Sequence, residues 1–230
     1  MRIAFLLLAL VVSRVALAQD PAVVVPVAKA AFHVPVMQND LVTVLNVWIP
    51  PNRASGYHLH ERDSVGVLLA DAERTGQNRG DSKIVPSVRR PRGSTSFTYY
   101  SKQPNAHNVA TTGSTAFHNM VIELRQPAPA GNTAGTREGV SGYTQIMDNT
   151  RVRGWRLVLE PGQAAPAITQ SAPGIRVVID GGEIVESVPG QPERGMAPKY
   201  GEFYWQEAGT TRAIRNNGFS RIEFVEFEFK

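Results

Sequence analysis

Gly56-Tyr-His58-Leu-His60-Glu-Arg-Asp63 is answered 44 positions beyond Asp63 by His107. Three of the chain's five histidines and one carboxylate thus fall in a spacing that a metal ion can use. Alternate side chains of an extended strand point to the same face. His58 and His60 therefore project together, about 6–7 Å apart at the backbone. Two imidazoles so placed can converge on one ion with metal–nitrogen bonds of about 2.0–2.2 Å. Asp63, just past the bend, can add a hard oxygen. His107 lies on a distant segment and joins only where the fold sets two strands side by side. Two histidines, a carboxylate and a third histidine suit Fe, Mn, Zn, Ni or Cu without singling out one of them. An HxH pair also arises by chance on a solvated strand, so the surrounding pattern has to decide.

That pattern is strand, turn, HxHxxD, strand, loop, strand, His, turn and strand. An apolar run, 41–49, leads into Pro50-Pro51-Asn52-Arg53-Ala54-Ser55-Gly56, a stretch rich in turn formers. Ser64-Val-Gly-Val-Leu-Leu-Ala70 follows the histidines, and His107-Asn-Val-Ala-Thr-Thr-Gly113 leads into a further strand over 116–124. The 20 glycines and 16 prolines are scattered between short runs rich in Val, Ile, Thr and Phe. Helical periodicity is nearly absent. Many short strands with turn signals at close intervals predict an all-β sandwich or barrel.

Residues 1–18 read as a secretory signal peptide. Arg2 gives a basic start, 3–12 an apolar core, and Ala16-Leu17-Ala18 a small-x-small cleavage site before Gln19. The apolar run is about half of the roughly 20 residues a bilayer needs, although an uncleaved anchor is the alternative. A periplasmic or secreted protein is expected, with no membrane association after cleavage. Removing 18 of 230 residues leaves 212, and removing Arg2 and Arg14 from a net charge of +4 leaves +2. So small a charge, with no basic stripe interleaved by aromatics, argues against nucleic acid as a partner. The cluster Lys83, Arg89, Arg90 and Arg92 reads as a solvated loop. With no cysteine, thiolate metal sites, iron–sulfur clusters and a cysteine nucleophile are excluded, and the fold must be held by its core.

The chain also looks duplicated. Val47-Trp-Ile-Pro50-Pro51-Asn52 matches Val158-Leu-Glu-Pro161-Gly162-Gln163 at an offset of 111, and Ser64–Ala70 meets 175–181 at the same offset. His107-Asn-Val-Ala-Thr-Thr-Gly113 meets Arg212-Ala-Ile-Arg-Asn-Asn-Gly218 at an offset of 105, which predicts a loop six residues shorter in the second copy. At these offsets Thr169, Ser171, Gly174 and Arg212 stand where the first copy has His58, His60, Asp63 and His107. The second copy keeps the apolar pattern and has none of the candidate ligands. The expected organisation is a first unit over 19–126, a linker over 127–150 that is rich in Pro, Gly and Ala with a short strand near 144–148, and a second unit over 151–230. Residues 22–36 are apolar and can pair with an edge strand of either copy or of a partner subunit, which leaves a homo-oligomer open.

Gly56-Tyr-His58-Leu-His60-Glu-Arg-Asp63, with a strand and Ala70 beyond it, resembles the first cupin motif. His107-Asn108 before Thr111-Thr112-Gly113 resembles the second. The resemblance covers the whole mature chain as a bicupin: two tandem jelly-roll β-barrels, the first with an intact metal site and the second without ligands. It implies that His58, His60 and His107 take the histidine roles and Asp63 the carboxylate role, as ligand or as partner to a liganding histidine. The carboxylate is Asp where the family has Glu, one residue closer to the pair. The glycine after the first strand is Ala70, and only Pro104-Asn105-Ala106 stands for the usual Pro-x-Gly. The family's functions are diverse, so the resemblance specifies the fold more closely than the activity.

The expected cofactor is one divalent transition metal ion per chain, among Fe, Mn, Zn, Ni and Cu. The expected function is a metalloenzyme of dioxygenase or isomerase type acting on a small oxygenated organic substrate. The alternative is a cupin that binds a metal or small ligand without turnover. Outside the motif, His118 reads as a satisfied strand histidine, with a base above the metal as the alternative. His33 reads as structural or exposed, Glu61 and Arg62 as solvated, and Trp48, Tyr99 and Tyr100 as core aromatics rather than a substrate platform.

Overall fold

The computed structural model describes residues 23–127 and 134–230, so the signal-peptide reading falls outside it. No described helix is long and apolar enough to cross a membrane. Turns of Gly, Pro, Asn and Asp cut the first copy into ten strands. These are β1 (Val25–Pro26), β2 (His33–Gln38), β3 (Val42–Ile49), β4 (His58–His60), β5 (Ser64–Ala70), β6 (Arg74–Asn78), β7 (Val85–Pro86), β8 (Thr95–Thr98), β9 (Asn105–Thr111) and β10 (Phe117–Leu124). They form two sheets in the orders β1-β4-β9-β6-β7 and β2-β3-β10-β5-β8, which face each other as a jelly-roll barrel. The residues ahead of the first repeat belong to this barrel on both sides. β1 pairs in parallel with β4, and β2 pairs with β3.

The second copy has nine strands. These are β11 (Tyr143–Asp148), β12 (Val152–Leu159), β13 (Ala164–Thr169), β14 (Gly174–Asp180), β15 (Ile184–Ser187), β16 (Arg194–Met196), β17 (Phe203–Gln206), β18 (Thr211–Asn216) and β19 (Ile222–Phe229). Its sheets run β11-β12-β19-β14-β17 and β13-β18-β15-β16. β11 is an edge strand of this barrel, so the second unit begins inside the segment read as a linker.

The repeat is real, and its register is one residue tighter than the apolar matches indicate. β2, β3 and β5 begin at 33, 42 and 64, and β11, β12 and β14 begin at 143, 152 and 174, an offset of 110. The turns agree. Asn39 Oδ1 accepts from the backbone N–H of Leu41 and Val42, and Asn149 Oδ1 accepts from those of Arg151 and Val152. Asn52 and Gly162, also 110 apart, both have φ in the left-handed region, at 56° and 78°. After the shortened loop the offset is 105, with β10 against β19. A slip of one residue turns every side chain to the other face of its strand. Ser64–Ala70 therefore matches β14 rather than 175–181, and the second-copy counterparts of the motif are Ile168, Gln170, Pro173 and Arg212.

Both faces of the central strands are buried, which explains why they read as continuous apolar runs rather than alternating ones. One face of β3, β5 and β10 fills its own barrel with Leu45, Val47, Ile49, Leu68 and Phe117. The other face presents Val42, Val44, Val65, Val67, Leu69, Met120, Ile122 and Leu124 to Val152, Ile175, Val177, Ile179, Val225, Phe227 and Phe229 of the second copy in one shared core. Burying a side chain of this size stabilises by about 1.5–3 kcal/mol, so this interface carries much of the fold. Arg92 also pairs with Asp180, and Arg156 donates to the Gly93 carbonyl. The basic loop is thus partly an inter-barrel clamp rather than wholly solvated.

Candidate metal centre

β4 and β9 are antiparallel neighbours with His58 directly opposite His107. His60 lies two residues along β4 on the same inward face. His58 and His60 are 1 % and 5 % exposed, with Leu59 turned the other way. Ligand atoms of His58, His60 and His107 all lie within 4.8 Å of one another, and no other such group occurs among the described residues. Ring centroids are 5.1 Å apart for His58 and His60, 4.7 Å for His58 and His107, and 5.0 Å for His60 and His107.

A fourth histidine joins them. His33, expected to be structural or exposed, is buried at the start of β2 with its ring centroid 4.6 Å from that of His58. β2 pairs with β3 in the opposite sheet, so His33 reaches the cluster across the barrel. Its only sequence signal is its place at the head of a period-two apolar segment. Tyr100 stacks on His60 at 4.6 Å and 18°, and so lines the site rather than the apolar core. Trp48, read as core, is half exposed. His118 faces away from the cluster. It meets Asn46 at 2.7 Å and Tyr200 of the second barrel at 3.4 Å, which is the satisfied strand histidine expected. Glu61 and Arg62 are exposed, as expected.

Asp63 is not brought to the histidines. Its Oδ1 accepts from the Ser101 N–H at 2.9 Å and the Ser101 hydroxyl at 2.6 Å, and its Oδ2 accepts from Arg151 at 2.6 Å. Both oxygens are engaged on the far side of the turn, so the cluster is three histidines with a fourth beside them and no carboxylate.

Electrostatics favour neutral imidazoles, the form that binds metal. Burial and neighbouring histidines push His60 down to about 2, and burial with the neighbouring His58 pushes His33 and His107 down to about 4. Burial also lowers His58. His58 Nδ1 lies 3.0 Å from the Gly56 carbonyl. A carbonyl only accepts, so this nitrogen carries the proton and Nε2 keeps a free lone pair. His60 Nδ1 is buried with no partner. A buried imidazole nitrogen without a partner costs free energy unless something binds there. The donor set therefore fits a divalent transition metal.

The histidines line a cavity of about 160 Å³ together with Ser64, Gly66, Ser96, Thr98, Asn119 and Phe117. A larger groove of about 550 Å³, open to solvent between β6, β7 and the following loop, also has His107 and Val109 on its wall. In the second barrel the equivalent volume is about 10 Å³. Arg176 occupies the position of Gly66 and Glu226 that of Val121. Arg176 Nε donates to Glu226 at 2.7 Å, Arg137 binds Glu226 and Glu228, and Tyr143 stands where His33 does. A closed ionic cluster has replaced the cavity.

No family model matches the chain, and no curated protein matches it in sequence. Solved structures do match in fold. A cupin 2 conserved barrel domain protein from Leptotrichia buccalis has a TM-score of 0.52 at 8% identity, over 86% of this chain and 88% of that one. Oxalate decarboxylase from Bacillus subtilis gives 0.56 at 10% identity, over 85% and 71%. Salicylate 1,2-dioxygenase from Pseudaminobacter salicylatoxidans gives 0.56 at 11% identity, over 82% and 71%. The chain has the bicupin fold, with the His58, His60 and His107 cluster where such a barrel can hold a metal.

Proposed function

We propose that the protein is an exported cupin whose first barrel holds one divalent transition metal ion on His58, His60 and His107. We further propose that it acts as a metalloenzyme of dioxygenase or isomerase type on a small oxygenated organic molecule. The observation that carries this reading is the convergence of three imidazoles, two buried and one half-buried, on one cavity. The metal itself remains among Fe, Mn, Zn, Ni and Cu.

Three protein ligands leave coordination positions free for a substrate, and a bound ion there would act as a Lewis acid. The surrounding residues shape what can enter. Gly66, Ser96 and Asn119 are small or polar parts of the lining, and Val47, Ile49, Phe117 and Val121 are apolar ones. His33, held by its Nδ1 contact to the Ala31 carbonyl at 2.9 Å, and the Tyr100 hydroxyl are the groups beside the cluster able to hold a proton. The fold-level neighbours named above act on salicylate and oxalate, which supports a small oxygenated substrate without identifying it.

One observation favours the alternative, a cupin that binds without turnover. Among the described residues no carboxylate lines the cavity, so an acid–base pair is not evident. Elemental analysis of the purified mature protein should find about one divalent metal per chain. None after supplementation with each candidate metal, or two per chain, would count against the site. O₂ uptake by the metal-loaded protein across small oxygenated aromatics then separates enzyme from binder. Export is tested by intact mass: a mature chain beginning at Gln19 in the extracytoplasmic fraction is expected.

A further inference from the structure

Asp63 is buried, with its side chain 2 % exposed, and the charge that pairs with it among the described residues comes from the other barrel. Arg151 sits in the turn between β11 and β12 and reaches Asp63 Oδ2 at 2.6 Å. Asp63 Oδ1 takes both the N–H and the hydroxyl of Ser101. Ser101 follows Tyr100, whose ring is stacked on His60, and Asp63 itself lies three residues past His60. One carboxylate thus ties the end of the HxH strand to the turn that carries the stacked tyrosine. A second contact from the same turn lies alongside, Thr150 Oγ1 against the Tyr99 hydroxyl at 3.3 Å.

The duplicated architecture supplies an internal control. At the offset of 110, Asn149-Thr150-Arg151 corresponds to Asn39-Asp40-Leu41, and Asp63 corresponds to Pro173. At the mirror position Leu41 and Pro173 line one open crevice together with Asp40, Gln126, Trp205 and Glu207. Neither Leu41 nor Pro173 carries a charge, and this position belongs to the barrel that has no histidine cluster. Burying an ion pair costs several kcal/mol of desolvation per ion before its attraction offsets it. The junction thus stands without an ion pair at Leu41 and Pro173, and among the described residues the ionic version occurs only toward the histidines.

We propose that Arg151 is a positioning residue for the metal centre: through Asp63 and Ser101 the second barrel sets the stack of Tyr100 on His60. This rests on the metal reading of the histidine cluster. It gives the second barrel a role in the site that its own lack of ligands conceals.

The test uses the full-length mature protein and Ni²⁺ alone, with affinity read by chelator competition. Arg151→Leu copies the residue at the mirror position. Arg92→Ala removes a different, more exposed inter-barrel ion pair, Arg92 to Asp180, and controls for loss of an inter-barrel contact as such. The expectation is that R151L weakens Ni²⁺ binding by less than the roughly 10-fold seen on losing a direct hydrogen-bond partner of a ligand, but measurably, while R92A leaves it unchanged. In the metal-free protein, the His60 ring-proton NMR resonance, shifted by the stacked tyrosine, should move in R151L and stay in R92A. Unchanged affinity and an unmoved resonance in R151L, or equal effects in R92A, overturn the proposal. If R151L does not fold, Ser101→Ala cuts the same link from the first barrel and is read by the same two measurements with the same two outcomes. A wild-type protein that binds no Ni²⁺ would sink the metal reading, and the metal-free resonance would still decide whether Arg151 positions His60.

Discussion

His60 shows how a single position acquires its chemistry. Its ring lies between His58, His107 and Tyr100, and its Nδ1 is enclosed without a partner. Burial and the neighbouring imidazoles together hold it neutral. His58→Ala, His60→Ala and His107→Ala should each abolish metal retention, because only two neutral nitrogens then remain to hold the ion. His118→Ala should leave metal content near one per chain, since that ring faces Asn46 and Tyr200. Elemental analysis after desalting reads all four, and loss of metal in H118A would mean that the ligand set is misassigned. Asp63→Asn should keep the histidine ligands and weaken retention by less than the histidine changes.

At the scale of elements, the two barrels differ by what their equivalent strands point inward. β5 offers Gly66 and β10 offers Val121, which leaves space beside the histidines. β14 and β19 offer Arg176 and Glu226, which fill it. Removing one partner of such a buried cluster leaves charge uncompensated and costs about 3–5 kcal/mol. Glu226→Gln should lower stability by that order in chemical denaturation while metal content stays the same. The carboxyl of Glu226 is raised by burial, but Arg176 and Arg137 outweigh this and hold it down at about 2. Its unfolded value is about 4.3. The contribution is therefore fully present above about pH 4.5 and is lost as pH falls toward 2. The denaturation midpoint should drop across that window in the wild type, and the drop should be smaller in E226Q. Equal pH profiles would show that the cluster does not carry this stability.

For the whole molecule, the shared face between the barrels decides how the chain behaves. Expressed alone, residues 19–127 would expose Val42, Val44, Val65, Val67, Leu69, Met120, Ile122 and Leu124 together. So large a contiguous apolar patch promotes association. The fragment should aggregate or self-associate in light scattering, and its melting temperature should fall below that of the full chain. A soluble monomeric fragment of equal stability would mean that the second barrel is not needed as cover. If Arg151 positions the site as proposed, the fragment's histidine ring resonances should also be broader than those of the intact protein.

The amino-acid order by itself determined the strand-rich class, the duplication and the inward pairing of His58 with His60. Each follows from local geometry: period two in a strand, turn residues at fixed places, and self-similarity along the chain. That His107 closes the cluster was readable as an expectation from the second motif. The one-residue register of the repeat was present in the paired Asn39 and Asn149 turns, although apolar residues occurring on both faces of the central strands concealed it. Tertiary structure alone decided the rest. His33 reaches the site from the opposite sheet, 25 positions before His58, and no local spacing encodes a contact across a barrel. Asp63 has the spacing of a ligand but is taken by Arg151, 88 positions away. A carboxylate binds whichever cation the fold brings nearest, and here the second barrel brings a guanidinium.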